Sequence, residues 1–289
     1  MKSSINDKPD NTIILESAPK AYVNSEFVSS SDGRTIRLLS EYLYPKQQFK
    51  EKKIKRTIIF YGSARIKPVD QIDEQIADLR GKLSNASSDE RIIIEKDIKS
   101  VEKMYKSARF YHEARELSSL ITEWSNTLPK RERFAICTGG GPGIMEAANR
   151  GAKEAGGKSI GLNISLPFEQ YPNQYINKSL NFEFHYFFMR KLWFVMLANT
   201  LIAFPGGFGT LDELMEVLTL RQTYKITKPL PIFLYSRKFW EDIVDFNKLV
   251  EYGTISEEDL NLFKYIDSPE EGFEMIKESL TDILTKKDN

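Results

Sequence analysis

LIAFPGGFGTLDELMEV, residues 201–217, reads as a strand, a glycine-rich turn and the start of a helix. The apolar run stops at Pro205, and Gly206, Gly207 and Gly209 follow. From Thr210 onward Leu211, Leu214, Met215 and Leu218 recur at helical spacing. Thr210 and Glu213 stand three apart, as in a capping box, where hydroxyl and carboxylate satisfy each other's backbone N–H groups. A carboxylate at that place also suits an active site, so two readings of Glu213 stand side by side.

Working outward, the same kind of apolar run recurs at TIIFYG (57–62), FAICTG (134–139), SIGLNI (159–164), TLIAFPG (200–206) and PIFLYS (231–236). These lack polar alternation, as parallel strands covered on both faces should. Helical patterns separate them. Alternation of strand and helix predicts an α/β fold, a Rossmann-like open parallel sheet with helices on both faces and right-handed crossovers.

Between the first two runs lies a long charged segment, residues 70–128. IDEQIADLRGKL and ERIIIEKDIKSVEKMYKSA read as two helices broken at SNASSD, a helical insertion over 70–107. A third helix, from about Phe110 to Trp124, is the crossover back to the sheet. The insertion suits decoration or an oligomer contact, with a partner-binding role as the alternative. Residues 1–55 read as a polar arm with one amphipathic piece, RTIRLLSEYLYP, and 56–289 as the main domain.

Composition narrows the function. Among 289 residues, Lys+Arg and Asp+Glu both number 41, so the overall charge offers nucleic acid no basic footprint. The single cysteine, Cys137, excludes a disulfide framework and a cysteine-based metal site. Two histidines, His112 and His185, leave little for a zinc site or a histidine triad. The N-terminal MKSSINDKPDNTIILESAPK lacks the apolar core of a signal peptide. LWFVMLANTLIAF (192–204), interrupted by Asn199 and Thr200, falls short of the roughly 20 residues of a membrane span. The expectation is a soluble, cytoplasmic protein.

Two strands run into glycine-rich loops followed by helices, CTGGGPGIMEAANRGA (137–152) and FPGGFGTLDELMEV (204–217). Loops of this kind at one sheet edge suit an anion, because glycines admit close backbone approach and helix N-termini present free N–H groups. The dinucleotide fingerprint fails, with Ile144 and Asp212 at the third glycine position. The P-loop pattern also fails, because Ala152 stands where its first glycine belongs. Neither NAD nor an ATP-driven transferase is supported.

PGGFGTLDE (205–213) together with FMRK (188–191) resembles the LONELY GUY (LOG) family of nucleoside 5′-monophosphate phosphoribohydrolases. FYGSAR (60–65) and GGGPGIMEAANRGA (139–152) match the family's first and second loops, and LPFEQYPNQYI (166–176) is similar to its larger bacterial members. The resemblance covers roughly residues 56–236. It implies hydrolysis of the N-glycosidic bond of AMP or a cytokinin riboside monophosphate, releasing free base and ribose 5-phosphate. It makes Arg190 and Glu213 the catalytic pair. Gly206, Gly207, Gly209 and Thr210 would cradle the 5′-phosphate, and Gly62, Ser63, Gly140 and Gly141 would complete the phosphate and ribose side. Met189 and Lys191 would flank the site, while Glu146 reads equally as a substrate ligand or a solvated first-turn residue.

The resemblance calls for no metal, flavin or nicotinamide, and for a homo-oligomer, a dimer or larger. The chemistry suits the pair: a carboxylate stabilises an oxocarbenium-like ribose, and an arginine holds oxygens of phosphate or sugar. The alternative is a non-catalytic carrier of a nucleotide or molybdenum cofactor, which shares the fold and the glycine-rich edge. Lysine decarboxylase is a name this family has sometimes been given, but no recognisable pyridoxal-phosphate lysine motif is present. The aromatics of FEFHYFFM (182–189) read as core, with His185 packed or bonded locally.

Overall fold

The computed structural model describes residues 17–84, 86–166 and 171–285. The chain divides into two compact units, one up to Leu43 and the other from Tyr44 onward. In the first, helix α1 (Ser25–Ser29) is capped by the Asn24 side chain, which accepts from the Phe27 N–H. Arg37, on the long helix α2 (Arg34–Glu51), donates to the carbonyls of Val28 and Ser30.

The second unit is built on seven strands. These are β1 (Thr57–Tyr61), β2 (Ala135–Thr138), β3 (Ser159–Ile164), β4 (Asn181–Phe184), β5 (Ala198–Ala203), β6 (Ile232–Tyr235) and β7 (Lys264–Ile266). They form one sheet in the order β4-β3-β2-β1-β5-β6-β7, every pairing parallel. The five apolar runs became β1, β2, β3, β5 and β6. The other two strands escaped the sequence reading for a physical reason. β4 lies at the sheet edge and alternates exposed and buried residues, so no apolar run marks it. β7, at the other edge, is three residues long.

The helices between strands are α3 (Val69–Leu83), α4 (Ser88–Glu102), α5 (Tyr105–Thr127), α6 (Ile144–Glu154), α7 (Phe187–Leu197), α8 (Phe208–Gln222), α9 (Arg237–Ile243) and α10 (Phe246–Glu251), and α11 (Pro269–Thr285) follows β7. Successive residues of β1 point to opposite faces. Ile58 and Phe60 enter a core shared with α5, α6 and α11. Tyr61, on the other face, meets Phe194 of α7 edge-on at 5.2 Å. Helices therefore cover both faces, and the fold is Rossmann-like α/β. On the α7 side Phe49 of α2 packs against Phe182 and Trp193 at 5.1 and 5.3 Å.

The inserted helices α3 and α4 share a small apolar cluster with the start of α5, made of Ile72, Ile76, Val101 and Ala108. α4 opens on a true capping box. The Ser87 N–H donates to Glu90 at 2.8 Å, and the Ser87 side chain accepts from the N3 backbone.

Candidate active site

The strand order places a topological switch at β1. The chain builds outward from β1 to β4 and then returns to its other side with β5. Loops leaving the carboxyl ends of β1 and β5 therefore diverge, which is where an open α/β sheet receives a ligand. Ser63 joins three of these loops. Its N–H donates to the Pro205 carbonyl at 3.1 Å, and its carbonyl accepts from the Ile144 N–H at 3.1 Å. Gly143, the N-cap of α6, sits at φ 71°, and a Cβ there would lie 2.3 Å from the Ser63 carbonyl oxygen. Only glycine fits both the dihedral and the space.

α8 starts earlier than the capping-box spacing predicted. Its N-cap is Gly207, and the first backbone bond runs from the Leu211 N–H to the Gly207 carbonyl at 3.0 Å. Thr210 is thus the third helical residue and Glu213 the sixth, and the cap has no side-chain hydrogen bond. The Thr210–Glu213 capping reading is overturned. Gly207 and Gly209 face open space, so the first N–H groups of α8 are approachable, with the positive end of the helix dipole behind them.

Glu213, relieved of a capping task, turns to α7. Nη2 of Arg190 donates to its Oε1 at 2.7 Å, and the two side chains are only 10% and 13% exposed. The guanidinium also lies over the rings of Phe187 and Phe194, 5.2 and 5.6 Å from their centroids. Its Nε is buried without a hydrogen-bond partner. Burial pushes the Glu213 carboxyl up to about 7; Arg190 pulls the other way without overcoming it, and Asp212 adds to the rise. A carboxyl poised near neutrality beside a fixed cation can both carry charge and exchange a proton.

The remaining candidates fall into distinct places. Lys191 bonds Asp212 at 3.0 Å and Glu216 at 2.9 Å, tying α7 to α8 one residue from the pair. Burial works against its charge, yet these acids outweigh it and its pKa is raised. Met189 is buried at the start of α7. Gly139 lies against the pair, since a Cβ there would sit 3.7 Å from Nη1 of Arg190. Glu146 accepts from the Tyr111 hydroxyl at 2.7 Å, which places it on the contact between α6 and α5. Gly62 packs against Ile144, where a Cβ would approach to 2.5 Å. His185 lies edge-on to Tyr186 at 4.7 Å. Residues 167–170 of LPFEQYPNQYI lie outside the described residues.

Sequence reasoning missed the residues that brace the GGG loop. Asn173 donates through Nδ2 to the carbonyls of Gly140 and Gly141, each at 3.0 Å, and to Asn149 at 2.9 Å. Thr138 in turn donates to Asn149 at 2.6 Å and accepts from the Gly140 N–H at 2.9 Å. Asn173 lies in an irregular stretch, and its only local signal is the preceding proline.

The two glycine-rich loops and the buried Arg–Glu pair thus meet at the switch point of a parallel α/β sheet, the place where such sheets receive small ligands. A family profile described as "Possible lysine decarboxylase" matches residues 145–276. The cytokinin riboside 5′-monophosphate phosphoribohydrolase LOG2 of Arabidopsis thaliana is 27% identical over 50% of this chain and 65% of its own length. The pyrimidine/purine nucleotide 5′-monophosphate nucleosidase of Escherichia coli K12 is 36% identical over 32% of this chain and 22% of its own. The chain thus spans less than two thirds of these relatives. A molybdenum cofactor binding protein from Rippkaea orientalis aligns with 58% of this chain and 86% of its own, at 24% identity and TM-score 0.41. The chain is similar to members of the LOG family. Among the described residues no helix is long and apolar enough to cross a membrane.

Proposed function

We propose that the protein hydrolyses the N-glycosidic bond of nucleoside 5′-monophosphates, of the AMP or cytokinin riboside monophosphate type. The observation that carries this reading is the Arg190–Glu213 pair at 2.7 Å, set beside the uncapped start of α8. The 5′-phosphate binds the first N–H groups of α8, in the loop of Gly206, Gly207, Gly209 and Thr210. The C1′–N bond breaks with its electron pair leaving on the base, and water adds to C1′. One water proton ends on the base, and ribose 5-phosphate is the second product. Ionised Glu213 stabilises the positive ribose and takes a proton from the attacking water. Arg190 favours the ionised form of that carboxylate and offers further donors to sugar or phosphate oxygens.

A pure carrier has no use for an acid–base pair. The decarboxylase description fits the site poorly, because a Schiff-base lysine needs a lowered pKa and that of Lys191 is raised. The LOG resemblance extends the proposal to a homo-oligomer, a dimer or larger, which light scattering measures directly. Incubation with AMP, GMP, CMP, UMP and cytokinin riboside monophosphates tests the activity. Base and ribose 5-phosphate should appear together from at least one of them. Binding without release from any would overturn the reading.

A further inference from the structure

The amino ends of the strands, opposite the candidate active site, enclose a cavity of about 280 Å³. It is lined by Lys53, Arg56, Lys130, Arg133 and Lys158 beside Phe134 and Gly157. Arg56 immediately precedes β1, Arg133 lies two residues before β2 and Lys158 immediately precedes β3, so three adjacent strands deliver cations to one place. The five residues of β1 put this cavity roughly 17 Å from the switch-point loops.

Main-chain carbonyls, not carboxylates, hold three of these cations. Arg56 donates to the Arg131 carbonyl, Arg133 to those of Leu128 and Asn126, and Lys158 to that of Lys52. Among the described residues none of the five forms an ion pair with Asp or Glu. Carbonyls fix their positions and leave the charge uncompensated. Nε of Arg56 is buried with no partner. Burial, then the charges of Lys52 and Lys53, lower the pKa of Lys158. Crowded like charges of this kind are relieved by an anion.

We propose that this cavity is a second anion site, which takes the di- or triphosphate group of a small molecule. A monophosphate carries at most two charges and would leave most of the five cations unmatched. An extended nucleic acid would need a basic stripe, whereas this is a partly enclosed concavity on a chain of zero net charge. The site is independent of the proposed hydrolysis and stands or falls apart from it.

Calorimetry of the full chain with inorganic triphosphate tests the site, with ATP as a second arm. Triphosphate should bind, and the double variant Lys130→Met/Lys158→Met should weaken it at least about tenfold. Gly209→Glu, which places a negative charge in the α8 loop, should leave that affinity unchanged. ATP binding more tightly than triphosphate assigns a nucleotide, and equal affinity assigns the free polyphosphate. Both lysines are exposed, and circular dichroism checks that the variant is folded. No triphosphate binding overturns the proposal. So does an equal loss in the surface control Lys277→Met, a loss caused by Gly209→Glu instead, or tighter binding of a short single-stranded oligonucleotide.

Discussion

Arg190 and Glu213, 23 positions apart in sequence, meet at 2.7 Å across α7 and α8, and neither side chain is more than 13% exposed. Glu213→Gln keeps an oxygen that accepts from Nη2 of Arg190 and removes the negative charge. Base release from the best monophosphate should fall by about two orders of magnitude or more. The amide loses the attraction of the ion pair but is spared the burial of a carboxylate. Thermal unfolding should therefore show a loss of no more than about 2 kcal/mol. Full activity in this variant would make Glu213 a purely structural partner of Arg190.

Activity and stability should respond to pH in opposite directions. The ionised carboxylate is the working form, so kcat/KM should drop as pH falls through about 7. Arg190→Met removes the cation that holds this pKa down, so the limb of its residual activity should lie above 7. For stability, a raised carboxyl favours the protonated folded state. The contribution of Glu213 is fully present below its ordinary value of 4.5 and is lost as pH rises through about 7. Denaturant melts of the wild type and Glu213→Gln should agree most closely at low pH, where both side chains are neutral, and the wild type should lose stability relative to the variant as pH rises through about 7.

The glycines of the α8 loop should separate by role. A Cβ on Gly206 would meet Thr210 Oγ1 at 2.1 Å, so Gly206→Ala should destabilise by about 1–3 kcal/mol. A Cβ on Gly209 meets nothing within 4 Å, inside a helix. Gly209→Ala should leave stability unchanged or raise it by up to about 1 kcal/mol. If the first turn of α8 binds phosphate, the same variant should raise KM for monophosphates. Thermal melts and steady-state kinetics on the pair of variants read both effects.

Asn173→Ala strips the braces from the carbonyls of Gly140 and Gly141 and leaves Asn149 short of a donor. A loss of about 1–3 kcal/mol should follow, because the acceptors are buried. If the GGG loop lines the ribose, KM should rise more than kcat falls, and melts with kinetics on one preparation resolve the two.

The apolar runs and glycine loops were legible because their causes are local. A strand covered on both faces must be apolar throughout, and a chain that turns tightly onto a helix needs glycine. The seven residues TIIFYGS thus already hold β1 and the loop that follows it. The inserted helices α3 and α4 were legible likewise, from the break at SNASSD and helical periodicity on either side. Spacing misled at Thr210 and Glu213, since the same three-residue interval forms a capping box at Ser87 and Glu90. At α8 the cap passed to Gly207, and no interval in the sequence distinguishes the two cases.

By itself the sequence determined the α/β alternation, the glycine-rich turns and the residue types at the sheet's carboxyl edge. Tertiary structure alone decided that β4 and β7 close the edges, that Asn173 braces a loop more than thirty residues away, and that Glu213 faces Arg190. The reason is physical. Backbone preference acts over a few neighbouring residues, whereas an ion pair and the pKa it shares with burial depend on which helices the folded sheet brings side by side.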